Sequence, residues 1–308
     1  ETQRWQFWVD ARDGAILRAF DNTQHIDAPT GNGSSVVVSG QILAGEGGGT
    51  LSVTGWLETV NGQYYLHNTG SAWQVYNVAS SGSYPDLGTY AHRGSNSWAA
   101  SDPSEMSAAV GLGLTQRYYR DVQGLSSFDG SGIMARGNVH EGVNYVNAYW
   151  NGTDFHFGDG DGVTANSLAI LDVVGHEFTH AVTENSANLI YQNEPGALNE
   201  SFSDVMGACI EFYAQPDDRA SYPARHAGEA DWLLGEDCWL SSTALRDMRD
   251  PANTATVGSG NEQPTRYLGT HWYSGSGDNG GVHYNSGVQN FFFYLLCEGG
   301  TGTNDGIP

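Results

Sequence analysis

In the stretch Val173-Val174-Gly175-His176-Glu177-Phe178-Thr179-His180-Ala181-Val182, two histidines stand four residues apart with a glutamate between them. On an α-helix a four-residue step turns about 400°, so His176 and His180 project from one face, a turn apart. That spacing suits two imidazoles on a tetrahedral zinc ion and leaves Glu177 beside an open coordination position. The same letters also suit two polar residues on a half-exposed helix, so a third ligand is needed to decide. Asn199-Glu200-Ser201-Phe202-Ser203-Asp204 follows a Pro195-Gly196 pair, read as a turn that lets a second helix fold back antiparallel to the first. Glu200 and Asp204 are again four apart. One carboxylate can bind zinc while the other accepts the free N–H of a liganding histidine. An ordinary acidic helix face is the alternative.

The elements that must position these residues follow from the pattern. Residues 1 to 22 read as strand, tight Asp13-Gly14 turn and strand, and Ile26 to Ser35 as a linker by composition. Val36 to Asn77 alternates short Val, Ile, Tyr and Trp runs with glycine clusters, predicting a twisted antiparallel sheet. Met106, Val110, Leu114 and Tyr118 recur at helical spacing behind Ser104-Glu105, which predicts a helix over 104–122 capped by that pair. Strands are predicted over 139–150 and 155–157, then helices over 169–184, 197–214 and 286–298. The fold class is α+β, with a β-rich N-terminal half and a mainly helical C-terminal half.

Composition narrows the function. The chain has 308 residues, 35 acidic against 12 basic, and a formal net charge of −23; every basic residue is Arg. That length predicts two domains. The charge repels nucleic acid and anionic lipid, and suits a protein that stays soluble outside the cell or in salt, or one that collects cations. Cys209, Cys238 and Cys297 allow at most one disulfide. No apolar run approaches the roughly 18 residues of a membrane span. The opening ETQRWQFWVD is not a signal peptide, so an exported chain would already have lost its leader.

The segment DVVGHEFTHAVTENSANLIYQNEPGALNESFSDVMG resembles the metal-binding region of the thermolysin family of zinc endopeptidases, whose pattern is H-E-x-x-H and then N-E-x-x-x-D. His180 and Glu200 are twenty residues apart, as that pattern requires. Further family-like blocks follow in order: NYVNAYWNG at 144–152, GDGDG at 158–162, ALRDM at 244–248 and DNGGVHYNSG at 278–287. The resemblance covers about residues 105 to 300. It implies a secreted endopeptidase, acting on protein or peptide substrates as a monomer, with its zinc site in the cleft between the two halves. His176, His180 and Glu200 would hold zinc, with Asn199 and Asp204 behind the histidines. Glu177 would be the base, Tyr191 and His283 the oxyanion donors, and Asp278 the group that orients His283. Asn147 and the backbone of Ala148 would pair with extended substrate. Arg246 would bind the substrate carbonyl past the cut, and Val173, Leu234 and Leu245 would wall an apolar pocket there. Cleavage on the amino side of bulky hydrophobic residues follows from that pocket.

Calcium is the second metal the resemblance implies, through Asp172, Glu211, Asp231 and Glu236, with hard oxygens in excess. Leu233 stands where the family often has a glutamate, so only its carbonyl could serve. An insertion over Gln215 to Ala230 separates Glu211 from Asp231. GDGDG lacks the spacing of a helix-loop-helix calcium loop and reads as a turn.

The resemblance divides the chain into a propeptide-like tail and linker at 1–28, a β-rich domain at 29–168 and a helical domain at 169–308. The family continues with more helices beyond that point. Val288 to Cys297 is apolar around most of a helix, which calls for burial on several sides. The ten or so residues after it cannot cover it, so the helical domain is expected to be incomplete, with one face of Phe291 to Leu296 exposed. A non-catalytic zinc- or calcium-binding fragment, or a processing intermediate, is the rival reading. A serine hydrolase is dropped, because no G-x-S-x-G occurs.

Overall fold

A computed structural model describes residues 5–9, 16–21, 32–59, 61–78, 89–98, 102–216 and 226–299. Strands β1 (Trp5–Val9) and β2 (Ile16–Asp21) pair antiparallel as the alternation predicts. The Asp13-Gly14 turn between them lies outside the described residues. So do most of the 26–35 linker, the middle of the 215–230 insertion and the last residues, 300–308. The end of the linker is not irregular: β3 (Gly33–Gln41) begins inside it.

The single antiparallel sheet expected over 36–77 is in fact part of two sheets. β3 pairs antiparallel with β4 (Thr50–Glu58), which continues to β5 (Tyr64–Tyr65). With β6 (His67–Asn68) the chain crosses into a second sheet, in which β6 pairs antiparallel with β7 (Trp73–Asn77). The short strands β8 (Thr89–Tyr90), β9 (His92–Arg93) and β10 (Ser97–Trp98) close the edges of the two sheets. Leu66, fully buried between β5 and β6, marks the crossing.

Helix α1 (Pro103–Asp121) packs against both sheets. Its expected caps are not caps: Asp102 holds the N-cap position, with Pro103 in the first turn, where a missing N–H costs nothing. Ser104 and Glu105 face inward instead. Ser104 Oγ meets Ser167 Oγ at 3.0 Å, and the buried Glu105 carboxylate accepts from Asn77, Arg93 and Trp98.

The strand expected over 139–150 splits into β11 (Ala135–Glu141) and β12 (Ala148–Trp150). Left-handed backbone at His140, Gly142 and Asn144 turns the chain between them. His140 is pinned there between Asp102 Oδ1 (3.0 Å) and Asp159 Oδ2 (2.8 Å). Burial alone would lower its pKa, but these bonds outweigh it and hold it at about 10. β13 (Phe155–Gly158) then runs parallel to β11, which is itself parallel to β7. β12 pairs antiparallel with β13 and leaves its other side at the edge of the sheet.

Helices α2 (Leu171–Asn185) and α3 (Asn193–Ala214) follow. Pro195 and Gly196 do not form a turn before α3; they lie inside its first turn, the one part of a helix that tolerates proline. Two glycines let α2 and α3 come close. A Cβ on Gly175 would lie 2.8 Å from Ile210 Cδ1, and one on Gly207 would lie 2.7 Å from the Asp172 carbonyl. On its other side α2 presents Phe178, fully buried among Tyr119, Phe128 and Phe155, with ring centroids 5.3 to 5.7 Å from its own. Phe178→Ala should therefore cost about 3–5 kcal/mol of stability. A loss below about 1 kcal/mol in urea denaturation would contradict this packing.

The hairpin β14 (Leu233–Leu234) and β15 (Arg246–Asp247) and the short α4 (Thr254–Val257) lead to α5 (Asp278–Asn285) and α6 (Gly287–Glu298). α6 seats Phe293 and Tyr294 against Trp232. As expected from its composition, one face stays open: Phe292 is 55% and Leu296 68% exposed. Among the described residues, no disulfide joins Cys209, Cys238 or Cys297. Among the described residues, no helix is long and apolar enough to cross a membrane.

Candidate metal centre

α2 and α3 bring His176, His180 and Glu200 together at the floor of a cleft of about 980 Å³. Each histidine is oriented from behind. His176 Nδ1 donates to Asp204 Oδ1 at 2.8 Å, and His180 Nδ1 to Asn199 Oδ1 at 2.8 Å. Asn199 turns its Nδ2 to the Leu189 carbonyl, which leaves its oxygen for His180. With both Nδ1 atoms acting as donors, the Nε2 atoms face each other at 3.0 Å. Glu200 Oε1 lies 3.2 Å from His180 Nε2, and Oε2 3.5 Å from His176 Nε2. The Glu200 side chain is fully buried, and its Oε2 has no hydrogen-bond partner.

Two nitrogen lone pairs and a carboxylate converge here, an arrangement that repels itself unless a cation sits among them. Burial would lower the pKa of His176, but Asp204 and Glu200 push it up to about 10. Burial would raise that of Glu200, but His283 and His180 hold it well below the carboxylate range. The two-nitrogen, one-oxygen donor set, with partners behind both histidines, fits zinc.

The remaining candidates surround this centre. Glu177, buried on α2, lines the cleft. Tyr191 donates its hydroxyl to Glu200 Oε1 and lies 3.1 Å from His283 Nε2. Burial, then the Glu200 charge, keeps the phenol protonated. His283 lies in α5, whose first residues are a left-handed turn: φ is positive from Asp278 through Gly281. Gly280 and Gly281 make that turn possible. It brings Asp278 back to His283, accepting from the backbone N–H at 2.9 Å and from Nδ1 at 2.6 Å.

On the cleft walls are Asn147, Ala148, Val173, Leu234, Leu245 and Arg246. Asn147 and Ala148 are at the open edge where β12 begins; the Asn147 carbonyl is taken by Gly158 N–H at 3.0 Å. Arg246 is tied to Asp204 by two bonds, Nε to Oδ2 at 2.8 Å and Nη2 to Oδ1 at 2.6 Å.

The second carboxylate group differs in detail from its expected membership. Glu211 and Glu236 come together with Asp237, a residue outside the expected set. Asp172 and Asp231 stand close enough to raise the pKa of Glu236, behind burial as the larger cause. Burial and then Glu236 raise Glu211 in the same way. Both Glu236 oxygens and Glu211 Oε2 are buried without a hydrogen-bond partner, as expected of ligands that face a cation. Leu233 is in β14 with its N–H on Asp231 Oδ1 at 2.6 Å. Glu46 adds a further carboxylate from the loop after β3, accepting from Leu171 N–H at the start of α2. Burial, then Asp237, pushes its pKa up to about 8. In GDGDG, Asp161 accepts from Val163 and Thr164 N–H, which makes the segment a turn as its spacing implied.

Sequence reasoning missed Asp237, although it directly follows Glu236. It also missed Ser203, whose Oγ is 3.1 Å from His180 Nδ1, and Asn290, which reaches Asp204. Glu46 carried no signal at all, 125 residues before its partner.

A β-sheet half and a helical half that meet at an H-E-x-x-H helix with a downstream glutamate define a metallopeptidase architecture. Residues 44–184 match the thermolysin metallopeptidase catalytic domain, and residues 187–307 match the thermolysin metallopeptidase alpha-helical domain. Bacillolysin of Bacillus cereus is 38% identical over 96% of this chain and 52% of its own length. The thermostable neutral protease NprT of Geobacillus stearothermophilus is 39% identical, over 96% of this chain and 51% of its own. Among solved structures, the precursor of protealysin, a metalloproteinase from Serratia proteamaculans, matches with a TM-score of 0.60 and 35% identity. That match covers 72% of this chain and 67% of the other. The chain belongs to the thermolysin family of metallopeptidases. It spans about half the length of the curated relatives it matches.

Proposed function

We propose that this chain is a zinc-dependent endopeptidase that hydrolyses internal peptide bonds, with bulky hydrophobic residues on the carboxyl side of the cut. The observation that carries this reading is the convergence of two histidine Nε2 atoms and the unpartnered Glu200 oxygen on the floor of an open cleft. His176, His180 and Glu200 hold the metal. When bound, zinc supplies a Lewis acid that polarises a carbonyl and lowers the pKa of a water.

This chain's own residues do the rest. The Glu177 carboxylate takes a proton from the attacking water and passes it to the leaving amine. The Tyr191 hydroxyl and His283 Nε2–H donate to the oxygen that gains charge. Asp278 holds His283 with Nε2 toward the cleft, and Asp204 and Asn199 hold the two histidine ligands. Substrate backbone lies along the edge at Asn147 and Ala148. Arg246 receives the carbonyl beyond the cut, and Val173, Leu234 and Leu245 surround the side chain that follows.

The reading extends to a secreted monomer made as a zymogen and acting on proteins or peptides, with neither nucleic acid nor membrane as partner. Its acidic, lysine-free composition supports that location. Residues 1–28 are a propeptide-like tail and linker, 29–168 the β-rich domain and 169–308 the helical domain. Digestion of an unfolded protein, with the ends of the products read by mass spectrometry, tests the activity. Internal cuts that a chelator abolishes and zinc restores are expected. Zinc binding without cleavage would favour a non-catalytic fragment instead.

Asp172, Glu211, Asp231 and Glu236, with the Leu233 carbonyl, form the calcium site in this reading, and Asp237 joins them. Removing calcium with zinc held saturating should lower the melting temperature, because buried carboxylates would face one another without a counter-ion. At calcium near 100 times its dissociation constant, the loss is about 2.7 kcal/mol, or on the order of 5–10 °C. Melting indifferent to calcium would reduce the cluster to an acidic patch.

A further inference from the structure

Asp204 does more than orient His176: it is the hub of four hydrogen bonds. Oδ1 accepts from His176 Nδ1 and Arg246 Nη2, and Oδ2 accepts from Arg246 Nε and Asn290 Nδ2, the last at 2.8 Å. Asn290 is completely buried on α6, a helix that supplies no other group to the centre. Its neighbour Asp204 can only accept, so the amide must turn its NH₂ inward. Its own Oδ1 is left buried without a partner. An unmet acceptor in the core is destabilising, so the site retains a polar residue where an apolar one would pack more favourably.

We infer that Asn290 is a positioning residue for the metal centre, fixing the plane of the Asp204 carboxylate so that one oxygen serves His176 while both serve Arg246. This rests on the zinc reading above. The argument is geometric. His176 on α2 and Arg246 on β15 supply three of the four hydrogen bonds, and without Asn290 the Oδ2 atom is held by Arg246 alone. Asn290 adds a second donor to Oδ2 from a third element, α6, and so limits rotation of the carboxylate about its Cβ–Cγ bond. Since the His176 imidazole follows its Nδ1 partner, α6 is coupled through two hydrogen bonds to the histidine Nε2 that faces Glu200.

A double-mutant cycle read in zinc affinity tests this. Zinc affinity is measured by chelator competition on the full chain, for wild type, Asn290→Ala, Asp204→Ala and the double variant. Loss of an outer partner typically costs about 10–100-fold in metal affinity. Asn290→Ala should lose about tenfold in the wild-type background and almost nothing further once Asp204 is alanine. Cobalt-loaded Asn290→Ala should also show an altered visible spectrum. Asn290→Asp keeps the volume but sets a carboxylate against Asp204; it should lose at least as much, and it decides the question if the alanine variant does not fold. Equal losses in both backgrounds, or zinc affinity within twofold of wild type in a folded variant, would overturn the proposal. Absence of zinc binding by the wild type would instead overturn the zinc reading itself.

Discussion

Glu177→Gln should keep a full equivalent of zinc and lose about 10²–10⁴-fold in kcat/KM, the range a positioned general base contributes. The substitution is nearly isosteric and leaves His176, His180, Glu200 and the partners behind them untouched. What it removes is the only function assigned to this side chain, acceptance of a proton from water, which an amide cannot do at neutral pH. Because Glu177 is buried beside the cleft and not in the aromatic core, folding should be little affected. Turnover of a quenched-fluorescence peptide, measured with metal content on the same sample, checks both halves. Activity within a few-fold of wild type would remove Glu177 from the mechanism.

His180→Ala should have the opposite signature: the protein folds, but zinc leaves on dialysis and activity goes with it. The substitution removes one of three ligand atoms and leaves a single imidazole and a carboxylate. The loss in affinity should therefore exceed the roughly 10–100-fold that follows from losing an outer partner. It also strands Asn199 Oδ1 and Ser203 Oγ, both of which face His180 Nδ1, so a modest fall in melting temperature accompanies it. Unchanged metal stoichiometry would mean that the ligand set is wrong.

How much of this was legible in the sequence depends on whether the signal was local. His176, Glu177 and His180 lie on one turn of helix, and Glu200 and Asp204 on one turn of the next, so helical periodicity alone put each group on a shared face. That the two faces oppose each other came from the family pattern and not from any local rule. The long helices were found to within a few residues, because each carries an apolar stripe over several turns. The parallel pairing of β11 with β7 was invisible, since no local sequence feature specifies a partner about 60 residues away. The break inside 139–150 was hidden because His140 adopts a left-handed backbone under the pull of Asp102 and Asp159, a tertiary cause. Proline at 195 misled for a related reason: the same residue ends one helix or opens another, depending on where the first turn falls. Glu46 and Asn290 reach their partners across 125 and 86 residues, and only the fold reveals such contacts.

The central claim is that one zinc ion sits among His176 Nε2, His180 Nε2 and Glu200. The most direct measurement is anomalous X-ray scattering from a zinc-loaded crystal, recorded on both sides of the zinc absorption edge. One strong peak should appear that vanishes below the edge, about 2.0–2.1 Å from each Nε2 and about 2.0–2.2 Å from a Glu200 oxygen. A peak elsewhere, or none at this position in crystals grown with excess zinc, would contradict the account.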